Sequence, residues 1–347
     1  MSTLKESFKT MIPDVLMLLV SIVGSLLLLV FSPLLHLMNA FRNKSFPTPK
    51  VIVITGVTCG IGRSLALKYA DNGVVLALIG RSMDKLNELK ADCQRKAPNC
   101  QVTLAQIDVS HRDKLKKFLS EFDAQHSVDL VIANAGISDA TLSKEMSYEE
   151  KAYEIINTNV NGAMNTLLPL LPSFRKRRHG QIVLIGSLSP FLSMMYPTYS
   201  ASKAAVNSYA LTLRHELKPY GIGVTMVAPG FVFTHMTDVL GATKLPMAVS
   251  SEYAAQTIHD GVSQNRAFIG FSTGTMLTTW FASIIPPDFR DSIYPIMMRL
   301  VDTPSDSIVY TNEKEQLKNS TDKDRQLKLF SSSQATVEQV TNSKKIQ

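Results

Sequence analysis

The stretch Val51-Ile-Val-Ile-Thr-Gly-Val-Thr-Cys-Gly-Ile-Gly62 limits the fold more tightly than any other part of this 347-residue chain. Val51 to Ile54 are β-branched and apolar, which fits a strand buried on both faces, the habit of parallel sheets. Gly56, Gly60 and Gly62 then predict a sharp turn. Ile61, Leu65, Leu67 and Tyr69 predict an amphipathic helix that stops at Asn72-Gly73. Strand, glycine turn and helix together aim free backbone N–H groups and a helix N-terminus at a pyrophosphate. Glycine suits a position where a Cβ would block the turn or the approach of phosphates. An ordinary βα turn carries the same local signature, so both readings stand on this stretch alone.

The segments that follow favour the nucleotide reading by their order. Val74–Ile79, Gln101–Ile107, Asp129–Ala133, Gln181–Ile185 and Gly223–Val227 read as strands. Helical patterns over 112–124, 149–174 and 200–218 lie between them. This βαβα alternation predicts a Rossmann-type, doubly wound parallel sheet in a single α/β domain, placed at 45–300. The uncharged segment Ala267–Pro287 is rich in Gly, Ser and Thr, so it reads as a last strand and an apolar surface segment rather than a membrane span. Residues 301–347 are polar and charge-rich and predict a disordered tail.

An N-terminal segment, 1–44, stands apart. No Asp, Glu, Lys or Arg occurs from Val15 to Phe41, and about 20 helical residues span a bilayer core, so a transmembrane anchor is expected at about 15–35. Arg42, Lys44 and Lys50 follow it, against Lys5 and Lys9 before it, which favours a cytosolic catalytic domain. Lys344-Lys345-Ile-Gln347 resembles a dilysine retrieval signal, and the address expected is the endoplasmic reticulum membrane, single-pass. The net charge of +7 is spread along the chain and argues against a nucleic-acid partner. Cys59, Cys93 and Cys100 form neither a disulfide framework nor a zinc pattern, and no metal is expected. A pairing of Cys93 with Cys100 is the one bridge the spacing leaves open.

Several residues carry chemistry. Gly80-Arg81-Ser82 ends the second strand where an NAD enzyme places an acid for the ribose 2′-hydroxyl. A guanidinium and a hydroxyl there suit a 2′-phosphate, and so NADP(H). Asp108-Val109 and Asn134-Ala135-Gly136 follow the third and fourth strands, at the edge where a cofactor cleft forms. Ser187 follows the strand Gln181–Ile185, and Tyr199 and Lys203 lie one helical turn apart on one face. An ammonium beside a phenol favours the phenolate and brings a tyrosine toward proton-transfer use.

The residues Thr55-Gly-Val-Thr-Cys-Gly-Ile-Gly62, Asn134-Ala-Gly136, Asn159, Ser187, Tyr199-x-x-x-Lys203 and Pro229-Gly-x-x-x-Thr234 closely resemble the classical short-chain dehydrogenase/reductase family, over about 51–240. The resemblance implies Tyr199 as general acid/base and Ser187 as the substrate-oxygen binder. It implies Lys203 on the nicotinamide ribose and Asn159 on a relay water. The cofactor-binding set it implies is Thr55, Gly56, Gly60, Ile61, Gly62, Arg81, Ser82, Asp108, Val109, Asn134, Ala135, Gly136, Tyr199, Lys203, Pro229, Gly230 and Thr234. Ala133 departs from the family, which often has a second asparagine there.

The expectation is a membrane-anchored, NADPH-preferring oxidoreductase interconverting a carbonyl and a secondary alcohol on a hydrophobic substrate, lipid-, steroid- or retinoid-like. Membrane lipid is an expected partner, and a homodimer through helices 149–174 and 200–218 is the expected assembly. The rival from another class is a catalytically silent NADP(H)-binding scaffold or a membrane-tethered regulatory protein. Met194-Met195 reads equally as pocket lining or packing. The basic run Arg175-Lys-Arg-Arg178 falls at the starting edge of the sheet, the edge the anchor's linker enters, and its cations either approach an anionic leaflet or complement a helix C-terminus.

Overall fold

The computed structural model describes residues 46–192, 196–238 and 247–292, together with Val23 and Phe31. The expected anchor, the Met194-Met195 pair, the polar tail and its terminal lysines lie outside these residues. Among the described residues, no helix is long and apolar enough to cross a membrane.

Seven parallel strands form one sheet in the order β3-β2-β1-β4-β5-β6-β7. They are β1 (Val51–Thr55), β2 (Val75–Gly80), β3 (Gln101–Gln106), β4 (Leu130–Ala133), β5 (Gln181–Ile185), β6 (Gly223–Pro229) and β7 (Phe268–Phe271). Val53 aligns with Ala77 on one side and Val131 on the other. Helices α1 (Gly60–Tyr69), α2 (Met83–Lys96), α3 (Arg112–His126), α4 (Tyr148–Ile156), α5 (Gly162–Leu167), α6 (Leu171–Arg177), α7 (Pro197–Leu217), α8 (Ser251–Ser263) and α9 (Thr273–Ser283) alternate with or follow the strands.

Side chains alternate across the pleat, and both faces are apolar. Ile52, Ile54, Leu76, Leu78 and Ile132 point to one face, with Leu65, Leu89 and Ile258 from α1, α2 and α8. Val53, Ile79, Val131 and Leu184 point to the other, with Leu119, Leu167, Phe174 and Leu213 from α3, α5, α6 and α7. The result is a helix–sheet–helix sandwich of the Rossmann type, in one domain. Cys93 and Cys100 are free thiols inside it, so the bridge left open by the spacing is not made. Burial pushes the Cys93 thiol up to about 12.

The structure corrects the helix expected over 149–174. Ser147 and Glu150 start α4 with a reciprocal capping box. The chain then loosens into a π turn, Asn157–Asn161, before α5, and breaks again before α6. Pro169 and Pro172 cannot donate backbone N–H bonds, which accounts for the second interruption.

Three of the four cations in the basic run before β5 are engaged by the fold, and Lys176 stays exposed. Arg177 donates to both carboxylate oxygens of Asp123, at 3.2 and 3.0 Å, and to the Val128 carbonyl at 2.9 Å. Arg178 donates to the Pro219 carbonyl at 2.6 Å. Arg175 pairs with Glu216 and lies 5.2 Å from the Tyr220 ring centre. Of the two readings of this run, the contacts therefore favour structural cations at the end of α6.

Asp123 is nearly covered, and burial alone would raise its pKa. The Arg177 guanidinium, the Ser173 hydroxyl and the Val128 N–H outweigh that and hold it below 3.8. Its ionic bonding therefore stabilises the fold above the ordinary carboxylate range and is lost as pH falls through the depressed value. Arg177→Met should lower stability at neutral pH by about 2–4 kcal/mol, because a buried carboxylate loses its partner. Urea unfolding at pH 7 and pH 3 checks this: the gap between variant and wild type should be full at pH 7 and smaller at pH 3. Equal stability at pH 7 contradicts the assignment.

Candidate active site

All seven strands end at one edge, and the site residues collect there. The turn after β1 is compact. Gly56 has φ of +69°, and a Cβ on it would stand 2.6 Å from Ala135 Cα. A Cβ on Gly62 would stand 2.3 Å from the Gly56 carbonyl oxygen. No side chain larger than hydrogen fits at either position. Cys59 precedes α1 in extended backbone without capping it by its side chain, and the first turn carries no acid. The positive end of α1 is thus left for an anion. Thr234 closes the turn from the far side, since a Cβ on Gly60 would meet its Cγ2 at 2.8 Å. This cradle fits a dinucleotide pyrophosphate.

Arg81 stands at the end of β2, its side chain 64% exposed, with a guanidinium nitrogen 3.8 Å from Asp108. Ser82 caps α2 by accepting the Lys85 N–H at 3.5 Å. Asp108 turns its other oxygen to the Ser110 N–H at 2.9 Å. Thr55 and Asn134 have an inward role. The Thr55 hydroxyl, 1% exposed, accepts the N–H groups of Asn134 and Ala135 at 3.2 and 3.3 Å. Asn134 Nδ2 donates to the carbonyls of Thr55 and Gly56 at 3.0 and 2.9 Å. These two side chains tie β1 to β4, so they shape the cradle instead of reaching out of it. Ile61 and Val109 likewise turn their side chains to apolar clusters.

The second cluster lies at the end of β5. Tyr199 hydrogen-bonds Ser187 through its side chain. Ser187 is nearly buried, and its Oγ accepts the Ser189 N–H at 3.0 Å. Lys203 Nζ donates to the Ile185 carbonyl at 2.9 Å and lies 5.8 Å from the Tyr199 ring centre. Asn159, in the π turn, accepts the Ile137 N–H at 2.8 Å and donates to the Ile137 carbonyl and the Ser202 hydroxyl, each at 2.9 Å. Gly136 lies between, since a Cβ there would meet both Asn159 Oδ1 and Lys203 Nζ at 3.2 Å. Pro229 ends β6, its carbonyl accepting the Leu188 N–H at 3.0 Å, and the Gly230 N–H donates to Phe271 at 2.6 Å. The expected catalytic residues therefore converge beside the end of β5.

Electrostatics there differ from the simple expectation. Burial pushes the Tyr199 phenol above 10.0, and its bond with Ser187 pulls the other way. Burial lowers Lys203 to about 8. In the protein alone the phenol stays protonated at neutral pH, ready to donate.

Asn207 was not among the expected residues. Its Nδ2 donates to the Ser187 carbonyl at 2.9 Å, its Oδ1 accepts the Ser187 N–H at 3.4 Å, and it is 6% exposed. It lies four residues beyond Lys203, on the face that carries Tyr199 and Lys203. That spacing was the available signal.

Comparison with known proteins fits this geometry. The family profile described as short chain dehydrogenase matches residues 50–245. An uncharacterized oxidoreductase of Myxococcus xanthus is 31% identical over 245 residues, 70% of this chain and 95% of that protein. The 11-beta-hydroxysteroid dehydrogenase-like 4A of Arabidopsis thaliana is 30% identical over 283 residues, 78% of this chain and 94% of that protein. Among solved structures, a short chain dehydrogenase from Mycobacterium paratuberculosis bound to NAD aligns with a TM-score of 0.57 at 24% identity, over 66% of this chain and 98% of that one. A short-chain dehydrogenase from Sphingobium yanoikuyae in complex with NADPH aligns with a TM-score of 0.58 at 22% identity, over 74% and 96%. The two structures share the fold. The chain belongs to the short chain dehydrogenase family, as an oxidoreductase whose Rossmann-type fold binds nicotinamide cofactors.

Proposed function

We propose that this protein interconverts a carbonyl and a secondary alcohol on a hydrophobic substrate, with NADP(H) as its preferred cofactor and Tyr199 as the acid/base. The observation that carries the reading is the convergence of Ser187, Tyr199 and Lys203 at the end of β5. A bound nicotinamide supplies or takes up the hydride at the carbonyl carbon. In reduction, the Tyr199 hydroxyl gives its proton to the carbonyl oxygen, and the Ser187 hydroxyl donates a hydrogen bond to that same oxygen. Lys203 holds positive charge beneath the ring and offers donors to a ribose. Asn159 braces the strand end at Ile137 and the Ser202 turn of α7, and its place beside Lys203 suits a proton path.

The cofactor preference is supported by Arg81, an exposed guanidinium at the end of β2, whose planar fork of donors suits a ribose 2′-phosphate. Asp108 steadies that fork from β3's end. The substrate class is supported by relatives bearing hydroxysteroid dehydrogenase-like names and by the uncharged N-terminal stretch. The same stretch, the charge bias around it and the terminal lysines support a single-pass endoplasmic reticulum protein with a cytosolic catalytic domain at 45–300. Exposed Tyr153, Ile156, Leu168 and Leu211 on or beside α4, α5 and α7 support a homodimer through those helices.

Tyr199→Phe should preserve fold and cofactor binding while lowering turnover by about 10²–10⁴-fold. Steady-state kinetics beside a cofactor titration check it, and a rate near wild type removes Tyr199 from the chemistry. Arg81→Asp should shift the NADPH-to-NADH affinity ratio toward NADH by about 10–100-fold, the worth of one charge-assisted contact. An unchanged ratio means another residue reads the phosphate.

A further inference from the structure

Helix α9 presents an apolar face that no other described part of the protein covers. Leu277, Trp280, Phe281 and Ile284 recur at three- and four-residue spacing and are 49%, 52%, 56% and 64% exposed. Phe289, past Pro286-Pro287, is 59% exposed. The opposite side of the helix is fixed: Thr275, Thr279 and Ala282 are buried, and Met276 packs against the core. The rings of Trp280 and Phe281 meet edge to face at 5.4 Å. No Asp, Glu, Lys or Arg occurs from Ala267 to Pro287.

The place of this face matters as much as its composition. It follows β7 at the edge where every strand ends. Thr275 lies against Gly230, and α9 packs on the short helix Ser189–Leu192 that leads out of Ser187. Helix α9, which carries the exposed face, therefore lies beside the segment that leads out of Ser187.

We propose that the α9 face seats in the head-group boundary of a lipid bilayer and sets the mouth of the site against the membrane. Three occupants compete for such a face: a second copy, a segment of the same chain, or lipid. Lipid is favoured by the side chains, because tryptophan and phenylalanine concentrate at the bilayer interface, and an uncharged helix face sinks about 5–10 Å into it. It is favoured again by the chain outside the described residues, whose uncharged Val15–Phe41 stretch is long enough to enter a bilayer. Residues 46–50 are held on the fold, with Phe46 against Gly223 at the start of β6 and against His179, so residues 42–45 form the tether from that stretch and reach about 14 Å when extended. β7 is the next strand to β6 in the sheet, about 4.8 Å away, and its four residues rise about 13 Å toward the edge where α9 begins. The domain can therefore lie on its β7 edge, with α9 in the interface, while remaining joined to an inserted N-terminal segment. Arg175, Arg177 and Arg178 are engaged within the protein, which leaves exposed Lys176 to favour the opposite pose. The consequence, a hydrophobic ketone entering the site directly from lipid, rests on the oxidoreductase reading above; the seat itself does not.

Trp280 is the only tryptophan of the chain and reports on the seat directly. The full chain is reconstituted in phosphatidylcholine vesicles containing lipid brominated high on the acyl chain. Trp280 emission should move to the blue and be quenched by the brominated lipid. The double variant Leu277→Asp/Ile284→Asp keeps the tryptophan and should lose that quenching while still reducing a water-soluble ketone. Unquenched emission in the wild-type protein overturns the proposal: at long wavelength the face lies in water, and at short wavelength protein covers it. Quenching that persists undiminished in the double variant overturns it as well. Quenching without turnover of any ketone supports the seat and removes the proposed carbonyl-reducing activity.

Discussion

The order of the sheet turns back on itself between β1 and β4, and the side chains of Thr55 and Asn134 hold that seam closed. β2 and β3 lie to one side of it, and β4 to β7 to the other. A crevice opens where neighbouring parallel strands send their following segments to opposite faces, and ligands of such sheets bind there. Five hydrogen bonds from Thr55 and Asn134 fix how far that crevice opens. Gly56 and Gly62 can then approach the seam because they carry no Cβ. Without this closure, the start of α1 would not face the same space as Ser187 and Tyr199.

Helix α7 makes the second half of the site rigid. Lys203 reaches back to Ile185 at the end of β5, and Asn207 grips both backbone groups of Ser187. Ser202 adds a link from the same helix to Asn159 in the π turn. A π turn inserts an extra residue between successive hydrogen bonds and is frequent at functional sites. Here it brings a buried asparagine to Gly136 and Lys203. One helix thus carries the proposed acid/base, its cationic neighbour and the clamp on its hydroxyl partner, so their spacing follows from helical geometry.

Much of this was legible in the sequence. Apolar runs marked β1, β2, β4, β5 and β6, because strands buried on both faces admit little else, whereas β3 is only partly covered and alternates polar with apolar residues. The motif spacing marked the site, since Tyr199 and Lys203 need only one helical turn to meet. Other features depend on contacts between distant segments and were not legible. The π turn arises inside a pattern that is uniformly helical by periodicity. Asn207 shows its role only once Ser187 is placed beside it. Thr55 and Asn134 looked like residues facing a ligand, yet their side chains serve the seam. The basic run at 175–178 had two readings until Asp123, Glu216 and the Pro219 carbonyl came within reach.

The central claim is that the pocket at the end of β5 moves a hydride to a ketone carbon while Tyr199 supplies the proton. The most direct test incubates the protein with NADPH deuterated at the reactive C4 position and a panel of steroid, retinoid-like and long-chain ketones. Mass spectrometry of the resulting alcohols is the readout. The account predicts deuterium on the carbinol carbon of at least one product, in step with NADPH consumption. NADPH left unconsumed across the whole panel, or consumed with no deuterated alcohol formed, would contradict it.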